Sequence, residues 1–540
     1  MIDRRRTRVA AARRVLFVPA TDGRRAGGLL LLGALVCATA VALAASVAAA
    51  GAAGPEGGAA RQNVARAGGD LSSISFVDAA HGWSVGPRGT ISATSDAGST
   101  WAAQRSGTSR KLSDVAFQGR RRGWAVGAAG TIVATTNGGA SWHAQPSATT
   151  EALDAVSFRG AGRGWAVGAA GTILATSDGG ATWSPRSSGT AATLHAVSFC
   201  DADHGWVAGA DGTILATTDG GATWSPQASN TSESLNAIAF RDAGHGWAAG
   251  DGGIILDTTD GGATWRKQSS ATKAVLRSLC FPSAGQGWAA GDGGVIVHTN
   301  NSGAKWKAQR SGTAKSLHCL SFYGSVYGWA AGNGGTIRAT GNGGATWIVP
   351  PPKPALMRQP VAFGAKRRAE TVVYNRLHYG QATWRLTPRV IVLHYTAGGT
   401  EASAHATFAA DTPDRGVLPG VVAHFIIGQN GRIYQQLPPS VRGRHTVGLN
   451  HVAIGIEFVQ DSGPDPAWST TQIFHRKAQL RAGLRLVRWL AWRYHIKPGN
   501  IIGHGTANGS PFFKDRLHWR NTHVDWLAPA VRHFRALLAG

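Results

Sequence analysis

Residues 194–227 read LHAVSFCDADHGWVAGADGTILATTDGGATWSPQ, and this stretch decides the fold of about half of the chain. Short runs of alternating apolar residues are separated by polar or glycine-rich turns, a pattern that predicts four short β-strands in one unit. A period of about 40–45 residues with four strands is typical of a propeller blade, and seven such units predict a closed ring of seven blades. The Gly-Trp pair of the unit recurs every 41 residues, with its tryptophan at Trp83, Trp124, Trp165, Trp206, Trp247, Trp288 and Trp329.

A second tryptophan closes each unit, in a turn of the form S/T-D/N-x-G-x-T/S-W. The acid or amide of this turn can accept hydrogen bonds from backbone amides, the glycine can adopt a positive φ, and the tryptophan packs at the blade edge. In the sixth unit, Lys305 replaces the usual Thr or Ser. The seven turn residues are Asp96, Asn137, Asp178, Asp219, Asp260, Asn301 and Asn342.

These units, over residues 71–350, resemble the Asp-box (BNR) propellers and are most similar to the Ycf48-like repeats of photosystem assembly factors. The resemblance implies a seven-bladed β-propeller fold. Sialidases also use Asp boxes, but they add an arginine cluster and acid/base residues that the nearly identical units here do not supply. We therefore expect the propeller to bind an unidentified ligand or partner, and we rank a glycan-cleaving propeller below that hypothesis.

Composition excludes several classes of protein. Of the 540 residues 43% are hydrophobic and only 15% are charged, against about 25% in an ordinary globular protein, so a charge-rich helical or disordered chain is excluded. The formal net charge of +25 predicts attraction to nucleic acid, anionic membranes or acidic wall polymers without choosing among them. That choice depends on the compartment and on the chemistry of the site.

The N-terminal segment predicts export. An arginine-rich leader precedes a run without charged residues from Gly27 to Pro55, which is typical of a signal peptide or a signal anchor over residues 1–55. Either one places the rest of the chain outside the cytoplasm, in an extracellular or wall-associated location, because the basic flank stays inside. Anionic wall polymers are then the expected partners of the positive charge, with no nucleic acid. Residues 56–70 are predicted as a linker, and a Cys280–Cys319 disulfide is left open.

A second domain follows the repeats. The proline-rich IVPPPKP at 348–354 begins a linker predicted over residues 351–370, because proline ends strand pairing and stiffens the chain. Residues 371–540 predict a mixed α/β domain, with strands at RVIVLHY, VVAHFII and AIGIEFV and an amphipathic helix over about residues 471–495. The fold class is therefore an all-β seven-bladed propeller followed by a mixed α/β domain.

Three histidines of this domain suggest a metal site. His394 ends an apolar strand, His504 follows another, and His523 lies 19 residues further on, in RNTHVDW. Neutral imidazoles that converge in one pocket suit zinc, which binds nitrogen ligands tetrahedrally and keeps one position for water in catalytic sites. Their spacing alone is not diagnostic.

Four sequence motifs resemble, in order, those of the zinc-dependent N-acetylmuramoyl-L-alanine amidases of the amidase_2 and peptidoglycan-recognition family. They are VIVLHYTAGG, GVVAHFIIGQNGRIYQQLP, GRHTVGLNHVAIGIEFV and IIGHGTANGSPFFKD. The resemblance covers residues 385–530. It implies hydrolysis of the amide between the lactyl group of N-acetylmuramic acid and L-alanine. It also implies that His394 and His504 are the first two zinc ligands and that Glu457 polarises the attacking water.

The third ligand departs from the family pattern, because residues 351–540 contain no cysteine. We predict His523 in this position, with Asp515 and Asp525 as the alternatives. Glu457 is also supported by its strand, where Ile454, Ile456 and Phe458 alternate onto one face and the carboxylate points to the other.

The remaining site residues are candidates for holding the substrate: Tyr395, His445, Asn450 and Lys514. We expect His424 to be structural. The sequence thus predicts an exported zinc amidase in which the propeller is a targeting or partner module. The alternative is a peptidoglycan-recognition protein that keeps the groove but has no turnover.

Overall fold

Seven small antiparallel sheets form the blades of the propeller in the computed structural model, which describes residues 69–539. Each sheet is a meander of strands that follow one another in sequence, as predicted, and six of the seven have four strands. The strands of blades 1–3 are β1 Ser73–Phe76, β2 Gly82–Val85, β3 Ile91–Thr94, β4 Ala102–Gln104; β5 Leu112–Gln118, β6 Arg122–Gly127, β7 Thr131–Thr135, β8 His143–Gln145; and β9 Leu153–Arg159, β10 Arg163–Gly168, β11 Ile173–Thr176, β12 Ser184–Arg186.

Blades 4–6 repeat this pattern, whereas blade 7 has three strands. In blade 7, Ile348 pairs with Ala339 by a single bridge before Pro350, Pro351 and Pro352 end the pairing. The strands are β13 Leu194–Phe199, β14 Gly205–Gly209, β15 Ile214–Thr217, β16 Ser225–Gln227; β17 Leu235–Phe240, β18 Gly246–Gly250, β19 Ile255–Thr258, β20 Arg266–Gln268; β21 Leu276–Cys280, β22 Gly287–Gly291, β23 Ile296–Thr299, β24 Lys307–Gln309; and β25 Leu317–Tyr323, β26 Tyr327–Gly332, β27 Thr336–Thr340.

The tryptophans join neighbouring blades. Trp83 of blade 1 stacks on Phe117 of blade 2 with ring centroids 3.6 Å apart, and Trp142 makes a T-shaped contact with Phe117 at 5.8 Å. The same contact closes the ring, because Trp329 of blade 7 stacks on Phe76 of blade 1 at 3.7 Å. Sequentially distant blades are thus held by the same aromatic packing as adjacent ones.

The Asp-box turns have the predicted hydrogen bonds. Oδ1 of Asp178 accepts the backbone N–H of Thr182 at 2.9 Å, and Oδ2 accepts the Thr182 hydroxyl at 2.6 Å. Where Lys305 replaces the threonine, its backbone N–H still donates to Oδ1 of Asn301 at 2.9 Å. The backbone bond therefore maintains the turn without the hydroxyl. Cys200, Cys280 and Cys319 are free thiols.

The C-terminal domain is built on a six-stranded mixed sheet with the order β28-β31-β30-β32-β29-β33. The neighbouring strands β29 and β32 are parallel to each other, and β29 is also parallel to β33. β28 and the start of α1 both lie within residues 351–370, so that predicted linker contains elements of this domain. The elements are β28 Met357–Arg358, α1 Ala365–Tyr379, β29 Val390–Ala397, α2 Glu401–Ala410, β30 Phe425–Ile427, β31 Ile433–Gln435, β32 Ala453–Asp461, α3 Pro466–His475, α4 Lys477–Tyr494, β33 Ile501–Gly503 and α5 Ala528–Ala539.

Helices cover both faces of this sheet. α3, α4 and α5 bury one face, where Leu486 of α4 and Phe534 of α5 pack against Leu393 and Ile456. α2 covers part of the other face through Phe408. The single helix predicted at about 471–495 is two helices that meet at Arg476, where ψ is 85° and the helical backbone is interrupted.

The end of α4 packs against the propeller. The indole of Trp492 joins the buried cluster that includes Trp101 and Trp329, and the rings of His495 and Tyr327 lie 3.9 Å apart. This contact covers the place where blades 7 and 1 meet.

The predicted export signal, residues 1–55, lies outside the described residues, as does nearly all of the linker at 56–70. Between residues 69 and 539, no helix combines the length and the apolar character needed to cross a bilayer.

Candidate metal centre

His394 and Glu457 lie side by side on the neighbouring strands β29 and β32. They are direct partners in the parallel pairing of β29 with β32. Their neighbours Leu393, Ile456 and Phe458 point into the core beneath α3–α5, so the imidazole and the carboxylate project from the opposite face. Glu457 therefore lies on the face opposite Ile456 and Phe458, as the alternation of side chains along the strand predicts.

Three buried side chains converge beside these strands: His394, His504 and Asp525. His504 follows β33, and Asp525 lies in the loop before α5. The Nδ1 atoms of the two histidines are 3.0 Å apart, Oδ1 of Asp525 is 3.0 Å from Nδ1 of His504, and Oδ2 is 3.6 Å from Nδ1 of His394.

This donor set fits a zinc ion. Two nitrogen ligands about 2.0–2.1 Å from a tetrahedral ion lie roughly 3.3 Å apart, close to the separations among these three groups. Oδ1 of Asp525 is buried and makes no hydrogen bond to any described residue, which leaves it available to a cation. Two imidazoles and a carboxylate are also a known ligand set of catalytic zinc.

The imidazole of His394 is held neutral. Burial, together with the nearby His504, His445 and His523, lowers the pKa of His394 well below its usual value. A neutral ring has a free lone pair, which metal binding requires.

His445 and Thr446 determine which nitrogen of His394 has that lone pair. Nε2 of His445 is 3.2 Å from the carbonyl oxygen of Ala453, which can only accept, so this nitrogen carries the hydrogen and Nδ1 of His445 is an acceptor. Nε2 of His394 lies 3.2 Å from that Nδ1 and 3.2 Å from the Thr446 hydroxyl. We infer that His394 donates from Nε2, so Nδ1 is free to bind a metal.

His523 is a neighbour of the cluster and not one of its three converging groups. Its ring stacks on that of His504, with centroids 4.3 Å apart and an interplanar angle of 16°, and it is exposed at the cleft. The geometry therefore favours Asp525 over His523 as the third ligand. Asp515 is already engaged, because its buried Oδ2 lies 2.8 Å from Nδ1 of His378.

Glu457 is close to the cluster but lacks a partner of its own. Its Oε2 is buried and makes no hydrogen bond within residues 69–539. Burial, reinforced by the charge of Asp525, raises the pKa of Glu457 well above its usual value. A desolvated carboxyl group of this kind beside a metal site can accept and return a proton.

The ligand loop is held by two residues that sequence reasoning missed. Nδ2 of Asn521 donates to the carbonyl oxygens of His504 at 2.8 Å and of His523 at 3.3 Å. The indole of Trp526 donates to the carbonyl of His394 at 3.1 Å. Trp526 follows Asp525 directly in RNTHVDW, but the partner of its indole lies 132 residues away in the sequence.

The cluster opens into a cleft of about 390 Å³. Tyr395 lines this cleft together with His445, His523 and Glu457, and α2 contributes Phe408 on the apolar side. Such a cleft, with a few convergent polar groups in an apolar wall, is typical of a small-molecule site.

The cleft is not lined by Asn450, Lys514 or His424. Asn450 is buried and accepts the backbone N–H groups of His445 and Thr446 at 2.8 Å each, so it supports their loop. Lys514 is exposed and lies outside the cleft. His424 is fully buried between the Gly455 amide and the Val441 carbonyl, in the structural position expected for it.

Comparison with known families divides the chain into the same two parts. Residues 384–518 match the N-acetylmuramoyl-L-alanine amidase family, amidase_2. Four overlapping segments, 104–189, 147–226, 185–267 and 227–311, match the photosynthesis system II assembly factor YCF48 family. The chain thus combines YCF48-like BNR repeats with an amidase_2 domain.

Two curated relatives match the C-terminal part. N-acetylmuramoyl-L-alanine amidase AmiD of Escherichia coli is 28% identical over 137 residues, which are 24% of this chain and 48% of the relative. Peptidoglycan recognition protein 3 of Mus musculus is 26% identical over 136 residues, 22% of this chain and 36% of the relative. The chain therefore spans less than half the length of both.

Solved structures resemble the propeller. "YCF48 bound to D1 peptide" is 22% identical, with a TM-score of 0.45 over 51% of this chain and 92% of that chain. YCF48 from Cyanidioschyzon merolae is 23% identical, with a TM-score of 0.43 over 51% and 96%.

Proposed function

We propose that the protein is an exported zinc-dependent peptidoglycan amidase that hydrolyses the bond between the lactyl group of N-acetylmuramic acid and L-alanine. The single observation that supports this most strongly is the convergence of His394, His504 and Asp525 beside Glu457, inside a domain that matches the amidase_2 family. The relatives named as an amidase and as a peptidoglycan-recognition protein agree in substrate class.

His394, His504 and Asp525 would hold the ion. A zinc ion bound there supplies a Lewis acid for the amide carbonyl and lowers the pKa of water. His445 acts on this site indirectly, because its hydrogen bond orients His394. We therefore assign His445 to positioning and not to substrate binding.

Glu457 would move the proton. It accepts a proton from the attacking water as the water oxygen bonds to the carbonyl carbon. It then gives that proton to the amine nitrogen as the C–N bond breaks. The products are a peptide with a free L-alanine amine and a lactyl carboxylic acid, which loses the second water proton to solvent. Burial raises the pKa of Glu457, so its ionised carboxylate is a stronger base than an exposed one.

The cleft would orient the substrate. Tyr395 and His523 are polar groups on its wall and can hydrogen-bond the stem peptide, while Phe408 offers an apolar surface. The propeller would act as a targeting or partner module, in an extracellular or wall-associated protein. This location rests on the predicted export signal in residues 1–55.

Mass spectrometry of muropeptides incubated with the full chain tests the proposal. We expect free stem peptides that begin with L-alanine, together with unmodified saccharide, and loss of both products after treatment with a chelator and their return with zinc. Cleavage between sugars or within the peptide would overturn the assignment of the bond.

The absence of cleavage in a zinc-loaded protein would favour the recognition-protein alternative. In that case binding of muropeptide, measured by calorimetry, should persist without product. The complete donor set and the unpartnered Glu457 favour turnover over this alternative.

A further inference from the structure

Positive charge in this protein is concentrated in the C-terminal domain. Residues 351–540 contain 24 Lys and Arg against nine Asp and Glu, whereas residues 69–350 contain 20 against 17. The helices α3, α4 and α5, which form one outer layer of the domain, contain no acidic residue. This layer has seven cations: Lys477, Arg481, Arg485, Arg488, Arg493, Arg532 and Arg535.

Three of these cations form an exposed line along α4, which we call the basic ridge: Lys477, Arg481 and Arg485. They are four residues apart, so they share one side of the helix at intervals of about 6 Å. Within residues 69–539 their side chains make neither an ion pair nor a hydrogen bond. Neighbouring arginines differ, since Arg488 donates to the carbonyl oxygens of Leu537 and Leu538 at the end of α5.

The basic ridge opposes the stability of its own helix. Like charges four residues apart repel each other, and cations near a helix N-terminus oppose the macrodipole. Lys477 is the first residue of α4, and the first turn contains no acid that would compensate. An ordinary solvated helix face mixes both signs of charge, so this arrangement favours an external anion.

The occupant must be extended and polyanionic. None of the cavities described for the chain is lined by these three residues, so a small anion would find no enclosing pocket there. α4 exposes no large apolar side chain beside the basic ridge, and a membrane-surface helix would need one. Arginine binds phosphate oxygens in a bidentate manner, and a phosphodiester chain repeats that group along its length.

We propose that the basic ridge binds an anionic wall polymer with repeated phosphodiester groups. The basic ridge lies on the helical face of the sheet that α3–α5 cover, whereas His394 and Glu457 project from the opposite face. Polymer and muropeptide can therefore be bound at the same time. The choice of a wall polymer over nucleic acid rests on the proposed function and its compartment.

Binding of the full chain to poly(glycerol phosphate), followed by calorimetry over a range of salt concentrations, tests this proposal. The variant K477Q/R481Q/R485Q should bind at least about 10-fold more weakly at low salt. The slope of log K against log salt should fall by about 2 to 3, because each lost cation accounts for roughly 0.7–0.9 of it. Circular dichroism checks that the variant is folded.

The matched control removes the same charge from exposed positions of the propeller: R105Q/R110Q/K111Q. It should bind the polymer as the parent does. An equal loss of polymer affinity in both variants would show that only the net charge matters, and it would overturn the proposal. Tighter binding of the parent to anionic vesicles or to single-stranded DNA than to the polymer would overturn it as well.

Cleavage of soluble muropeptides separates this inference from the proposed function. The basic-ridge variant should cleave them at the parental rate. A parent that binds the polymer through the basic ridge but cleaves nothing would refute only the proposed function. A parent that cleaves, but whose polymer binding does not depend on the basic ridge, would refute only this inference.

Discussion

The indole N–H of Trp492 donates to the main-chain carbonyl of Ala97 at 3.3 Å, across 395 residues of sequence. Ala97 lies in the Asp-box turn of blade 1 and also accepts the indole of Trp329 from blade 7 at 3.0 Å. One carbonyl thus joins the first blade, the last blade and the C-terminal domain.

We predict that Trp492→Ala weakens the coupling between the domains. Loss of this partly buried indole should cost about 1–3 kcal/mol, below the 3–5 kcal/mol of a fully buried tryptophan. In calorimetry, the unfolding peak of the parent should become two separate transitions. The control Trp468→Ala changes an indole that is 40% exposed on α3 and should leave the peak intact. Identical profiles for the two variants would contradict the prediction.

The third metal ligand is tested by comparing two neighbouring residues. Asp525→Ala should lose most of the zinc, because only two protein ligands remain. His523→Ala should keep close to one zinc per chain, measured by mass spectrometry of the metal after dialysis. The opposite pattern would return the third position to His523.

Asn521 should control zinc affinity through the positions of His504 and the ligand loop. Asn521→Ala removes the amide that holds two carbonyl oxygens, and loss of such a supporting contact typically weakens metal binding by about 10–100-fold. Asn521→Asp keeps the size but puts a carboxylate against the same carbonyls, so it should weaken binding at least as much. Competition with a chromophoric chelator measures both, and parental affinity in either variant would argue against this role.

Glu457→Gln should separate turnover from binding. The amide keeps the size of the side chain but cannot accept a proton, so kcat should fall by about 100-fold or more. Zinc content and muropeptide affinity should stay near parental values, because Glu457 is not among the three converging donors. A kcat close to the parental value would mean that a group other than Glu457 transfers the proton.

The Asp boxes predict acid sensitivity of the propeller. Hydrogen bonds from Thr264 lower the pKa of Asp260 from 3.8 to about 2, and the pKa of Asp178 and Asp219 is lowered by the equivalent threonines. A lowered folded-state pKa stabilises the fold above the unfolded value. That contribution should be lost as the pH falls from about 4 to 2.

The triple variant D178N/D219N/D260N should be less sensitive in that range, measured as the change in Tm between pH 4 and pH 2. At neutral pH it should remain folded, because the natural Asn342 makes equivalent bonds, donating from Nδ2 to the Thr346 hydroxyl and accepting the Thr346 N–H. A loss of Tm equal to that of the parent would assign acid sensitivity to other carboxylates.

The sequence by itself determined the blades and much of the candidate metal site. Strands and turns depend on contacts within a few residues, and the repeat of 41 shows each of them seven times, so the propeller was predictable and is confirmed. The same local logic placed His504 directly after a strand and Glu457 on the face away from Ile456, because side chains alternate along a strand. His394, predicted at a strand end, lies within β29, which continues to Ala397.

Only the tertiary structure shows which third group converges on His394 and His504, and how the two domains meet. His523 and Asp525 are two residues apart in an irregular loop. The flanking Asn521 and Trp526 donate hydrogen bonds to the carbonyl oxygens of His504 and His394, which lie on other elements. Asp515 is withdrawn by His378, 137 residues away, and Trp492 meets blade 1 across the fold. No periodicity encodes such contacts, since they exist only once distant segments have packed together.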